Sequence, residues 1–211
     1  MLDDKFNFFK MNNLELINLV NLGKRVKYLF FWGHTPKSDL YVDKSCFSQW
    51  FSSQFFEEGH SFKTAEHWMM YKKACLFGDD IIGSQILDCE TPGEAKDLGR
   101  KVNNFIAEVW DEKKYGIVVK GNALKFAQNE KLKEFLIKTK DRILVEASPV
   151  DKIWGIGMAM DNSKIEDPSS WEGENLLGYA LMEVSTNMMS QVLRELDMLF
   201  GFYFNRTHQN N

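Results

Sequence analysis

The sequence predicts a mainly α-helical single domain with a few short strands, on three observations. Apolar residues recur at helical spacing through most of the chain. Several of these periodic segments open on a recognisable N-terminal cap. Only two runs, residues 27–32 (KYLFFW) and 142–147 (RILVEA), have the aromatic and β-branched density of a strand. With 211 residues, 44% of them hydrophobic and 14% aromatic, the chain can bury one substantial core, and no stretch reads as a linker. We expect an N-terminal extension over residues 1–25, a domain over 26–200, and a disordered tail over 201–211.

Composition also narrows the function. The balance of 26 basic against 30 acidic residues, a net charge of −4, argues against a large electrostatic footprint for nucleic acid but leaves room for a small basic pocket. Cys46, Cys75 and Cys89 are an odd number without metal-ligand spacing, which points to a reducing compartment. The N-terminus has acids where a secretory signal needs basic residues, and no run is apolar enough to span a membrane, so the expected location is the cytoplasm. His34, His60, His67 and His208 have no zinc spacing, and a metal-free, cofactor-free protein is expected.

Taken in order, residues 12–22 form a short helix that Gly23 can end, and 27–32 a strand stopped by Gly33. The aromatic run 46–56 (CFSQWFSSQFF) has no clean period and reads either as core packing or as an aromatic wall for a flat ligand. Residues 64–80 (TAEHWMMYKKACLFGDD) form an amphipathic helix and 79–87 another. Thr91, Pro92 and Glu94 then spell a capping box that starts a helix over 92–101. Asn103 is expected to cap a long helix that continues past Gly116 and Gly121, and Asn129 to begin one ending near Thr139. The strand 142–147 leads into SPVDKIWGIG, whose Ser148–Pro149 break presents Asp151 and Trp154 on a turn, with Gly155 allowing close approach of backbone to a ligand. The polar loop 161–174 precedes a last helix over 175–199.

The helix 64–80 carries the most chemistry. Glu66 and Lys73 lie seven residues apart, about 20° around the axis and roughly 10 Å along it, so they look out of one side. Met69, Met70 and Phe77 share that side, which places an acid and an amine on an apolar stripe. Charges buried this way are paired or used.

The fragments EHWMM, Lys73–Ala74, FGDD, AKDLGR, VW, GNALKFAQN, LVEASPVDKIWGIG and GENLLGYALM, in this order over about residues 28–190, resemble the NADAR (YbiA-like) family. The resemblance implies a mainly helical domain that hydrolyses N-glycosidic bonds. Family members act on phosphoribosylamino-pyrimidine intermediates of riboflavin synthesis or remove ADP-ribose attached to guanine. Carried over, it implies Glu66 and Asp151 as the carboxyl groups of catalysis and Lys73 as an amine able to form a Schiff base with the opened sugar. Trp110 and Trp154 stack the base, and Arg100 contacts phosphate. Gly155 and Asn175 belong to the ligand-binding turn and the glycine-rich ending, with Gly173 and Gly178. The implied partner is a small ribosyl-phosphate or ADP-ribose ligand, with ADP-ribosylated nucleic acid as a further substrate, and no membrane. Core packing for Trp110, a turn anchor for Trp154 and a turn cap for Asp151 compete with these roles. So does a module that binds ADP-ribose without cleaving it.

Overall fold

In the computed structural model, residues 11–207 are described, with side chains through residue 195. Its helices are α1 (Asn13–Asn21), α2 (Ala65–Leu76), α3 (Asp80–Asp88), α4 (Pro92–Gly99), α5 (Ala107–Ala127), α6 (Glu130–Ile137) and α7 (Leu176–Thr207). Its strands are β1 (Tyr28–Phe31), β2 (Phe55–Glu57), β3 (His60–Phe62) and β4 (Ile143–Glu146). Helix ends follow local chemistry. Thr91 accepts from the Glu94 amide while Glu94 bonds back to the Thr91 amide, and Asn12 and Glu15 form the same reciprocal cap on α1.

The centre is built on β1 and β4, which pair in parallel from Tyr28 with Ile143 to Phe31 with Glu146. Helix α7 crosses β4 with the Cα of Gly178 so close to the Leu144 carbonyl that a Cβ has no space. Helix α2 is enclosed by α3, α4 and α5. Its Trp68 packs on Gly121 of α5 and donates from Nε1 to the Ile117 carbonyl at 3.1 Å. Residues 65–70 are all buried, so the N-terminal half of α2 is a core helix rather than the one-sided amphipathic helix its periodicity predicts.

Other expectations change. The hairpin of β2 and β3 arises within and just after the aromatic run, turning on Glu58 and Gly59, both with positive φ, as a two-residue hairpin requires. Asn103 does not cap α5, whose N-cap is Ile106 without a side-chain bond. Its backbone and side-chain nitrogens instead donate to Asp79 at 2.9 and 2.8 Å. The expected N-terminal extension contains α1, which packs on the domain through fully buried Leu16 and through Asn13, whose amide donates to the Gly173 carbonyl and accepts from Tyr179. Helix α7 continues to Thr207 rather than ending near residue 199. The expected tail over 201–211 is thus helical through Thr207, while His208 and the residues after it lie outside the described residues, as do residues 1–10.

Candidate active site

The carboxyl ends of β1 and β4 open into a cavity of about 680 Å³, floored by α2 and flanked by α4 and the turn after β4. Glu66, Lys73, Arg100, Trp110, Asp151 and Trp154 all line it. The carboxyl end of a parallel strand pair suits a ligand site, since the chain must leave the sheet there in loops.

Each side chain is held differently. Glu66 sits in the first turn of α2, only 3% exposed, with Oε1 shut off from water and without a partner. Burial pushes its carboxyl up to about 7, with Asp151 adding to the rise and Lys96, the Trp50 indole N–H and Arg100 opposing it. Lys73 donates from Nζ to the Gly99 carbonyl at 2.8 Å and lies 4.2 Å from the Phe105 ring centroid and 5.6 Å from that of Trp110. Desolvation between these rings lowers its pKa below the usual lysine value. Asp151 caps its own turn, Oδ1 accepting from the Ile153 and Trp154 amides at 2.9 and 2.8 Å. The turn-cap role thus coexists with a place on the cavity wall.

Two predicted ligand contacts are placed behind the wall instead. The side chain of fully buried Asn175 donates to the Leu144 carbonyl at 2.9 Å and accepts from the Glu146 amide at 3.0 Å, doing for the edge of β4 what a further strand would do. Its backbone is left-handed, φ 55°, a conformation asparagine tolerates better than most residues. Gly155 is a glycine for space: a Cβ there would stand 2.8 Å from the Glu146 carbonyl oxygen. Both residues hold β4 and the Asp151 turn together without lining the cavity.

Sequence reasoning overlooked Glu146, Lys96 and Trp32, which line the cavity together with Trp50 of the aromatic run. Glu146 ends β4 with Oε2 buried and unpartnered, and burial pushes its carboxyl to about 8, assisted by Asp151 and Glu66 and opposed by Lys96. An acid closing an apolar strand next to the Asp151 turn was the available signal. Lys96 stands one helical turn before Arg100, and its Nζ lies 5.7 Å from the Trp50 ring centroid. The aromatic run satisfies both of its readings by residue, since Cys46 and Phe47 are core while Trp50 faces the cavity. Fully buried Lys125 holds that segment, donating to the Cys46 and Ser48 carbonyls at 2.7 and 2.9 Å. Among the described residues, no group of three or more His, Cys, Asp or Glu is arranged to hold a metal, and no helix is long and apolar enough to cross a membrane.

A family model described as the NADAR domain matches residues 30–189. The chain belongs to the NADAR family. This NADAR domain is 41% identical over 164 residues to N-glycosidase R617 of Acanthamoeba polyphaga mimivirus, spanning 75% of this chain and 94% of the relative. It is 31% identical over 158 residues to N-glycosidase Npun_R5314 of Nostoc punctiforme, spanning 75% and 91%. N-glycosidase YbiA of Escherichia coli is 29% identical over 147 residues, 70% of this chain and 81% of that one. The NMR structure of E. coli YbiA superposes with a TM-score of 0.64 at 24% identity, covering 79% of this chain and 88% of the other, and shares the fold.

Proposed function

We propose that this NADAR domain, an N-glycosidase by homology, hydrolyses the C–N bond between a ribosyl phosphate and a nitrogenous base, with ADP-ribose on guanine as the foremost substrate. The observation that carries the reading is Glu66, a buried carboxyl with an unfilled oxygen, facing the same cavity as the desolvated amine of Lys73. Breaking the bond builds positive charge at the anomeric carbon, which a carboxylate stabilises, and the departing nitrogen needs a proton. The Lys73 amine, with its lowered pKa, attacks the opened sugar aldehyde as a nucleophile to form a Schiff base that water then releases. Asp151, which also lines the cavity, steers water or charge. Trp110 and Trp154 stack the base, and Lys96 with Arg100 receives phosphate oxygens.

Four tryptophans (Trp32, Trp50, Trp110 and Trp154) and, besides Lys73, the basic side chains of Lys96 and Arg100 line this cavity. That supply suits a ligand with two flat bases and a diphosphate, which ADP-ribosylated guanine has and a phosphoribosyl pyrimidine lacks. The test is incubation with ADP-ribosylated guanosine or DNA and, separately, with phosphoribosylamino-pyrimidines of riboflavin synthesis, reading free base by mass spectrometry. Guanine-side release is expected. Release from the pyrimidines alone reassigns the substrate, and tight ADP-ribose binding without release makes the protein a binding module.

A further inference from the structure

We propose that Glu146 is a catalytic residue of this cavity, the group that delivers the proton to the departing base while Glu66 works as the ionised carboxylate beside the sugar. The assignment rests on the N-glycosidase reading and divides the labour within it.

The backbone of Glu146 is fixed on both sides. Its amide donates to Asn175 Oδ1 at 3.0 Å, and its carbonyl accepts from the Ser148 and Ile156 amides, each at 2.9 Å. The side chain therefore enters the cavity from a rigid strand end, which suits a group that must meet a reacting atom. Its Oε2 is sealed from solvent and bonded to nothing, an expensive state for a carboxylate and a natural one for an O–H waiting for an acceptor.

The surrounding charges sort the two glutamates. Glu146 faces Asp151 and Glu66, two like charges, with Lys96 the opposing cation. Glu66 faces Asp151 as well, but has Lys96, Arg100 and the Trp50 N–H to favour its anion. Two carboxyls in one dry cavity do not both ionise readily, so the proton resides on the less compensated one, Glu146. In the reaction the C1′–N bond breaks and its electron pair goes to the base nitrogen. The Glu146 proton moves to that nitrogen, and a water oxygen, directly or after the Lys73 adduct, bonds to C1′. The proton that water loses returns to Glu146, closing the balance.

Two measurements test this. Ribosyl 5-phosphate arylamines of graded leaving-group basicity are hydrolysed by wild type and by Glu146→Gln. Loss of a general acid is expected to lower turnover by about 10²- to 10⁴-fold for the most basic amines. The fall should shrink steadily as the amine becomes a better leaving group, while KM stays within a few-fold. An equal fall for every amine, or no fall, overturns the proposal. Infrared difference spectra of wild type against Glu146→Gln, which need no turnover, should show a protonated carboxyl band near pH 7 that belongs to Glu146 and fades as pH rises past about 8. Absence of that band overturns the assignment. If the band is present and wild type cleaves no N-glycoside, the substrate reading fails while the protonated Glu146 stands.

Discussion

Glu66 in the first turn of α2 and Asp79 at the N-cap of α3 are both carboxyl groups and both largely buried, yet the protein treats them in opposite ways. Asp79 has its acceptor capacity filled: Oδ1 takes the Ile82 amide at the start of α3, and Oδ2 takes both nitrogens of Asn103. Those bonds hold its carboxyl below the usual carboxylate range. Glu66 has an oxygen with no partner, and its carboxyl is pushed up. The lysines repeat the contrast. Lys125 spends its ammonium on two carbonyls inside the core, whereas Lys73 makes one carbonyl bond and faces the cavity. Burial alone does not mark a functional charge. Unused hydrogen-bonding capacity beside a hollow does, because a group with all its partners in place has nothing left for a ligand.

The contrast can be broken by substitution. The largest effect is expected at Glu66→Gln, a loss of base release of about 10³-fold or more, with ligand affinity nearly kept. Asp79→Asn should instead lower the melting temperature and leave turnover per folded molecule nearly intact. Kinetics and calorimetry on the pair decide, and near-normal turnover of Glu66→Gln would sink the distinction. Next is Lys73. Borohydride added during turnover should fix the sugar to it, detected as added mass on its peptide, and Lys73→Ala should abolish both mass and rate. A full-rate alanine enzyme rejects the Schiff base. Trp110→Ala should weaken ligand binding by about 1 to 3 kcal/mol, measured by titration with ADP-ribose.

Smaller effects come from the buried charges themselves. Lys125→Met leaves two inward carbonyls without a donor and should cost about 2 kcal/mol at pH 7 in denaturant unfolding. Burial holds the Lys125 amine down near 8 against 10.5 unfolded, so the unfolded chain binds more protons between those values and wild-type stability gains with rising pH. The gap to Lys125→Met should therefore widen from pH 8 to 10. For Glu146 the sign reverses. Its carboxyl sits at about 8 folded against 4.5 unfolded, so wild type loses stability as pH rises through that window. Glu146→Gln should be the more stable protein at pH 8, by about 1 to 3 kcal/mol, and the advantage should vanish near pH 5. A pH-independent difference would mean that Glu146 titrates normally.

Much of the fold was legible in the chain because helix ends are local events. Thr91 and Glu94 close a capping box within four residues, and the structure starts α4 at Pro92 as that box demands. The strands β1 and β4 were legible by composition, but their pairing across more than a hundred residues was not. Asn103 shows where locality fails. It has the chemistry of a helix cap, but Asp79, distant in sequence and near in space, offers it better acceptors.

What the sequence by itself determined is the helical framework, its caps, and the shared side of Glu66 and Lys73, since seven residues of helix return to nearly the same bearing. Only the tertiary structure decided that Glu146, Lys96 and Trp50 join them and that Asn175 and Gly155 stand behind the wall. The physical reason is that a cavity is made by several elements at once. Which polar atoms are left unsatisfied within it depends on every neighbour that did or did not arrive, a sum no single stretch of chain contains.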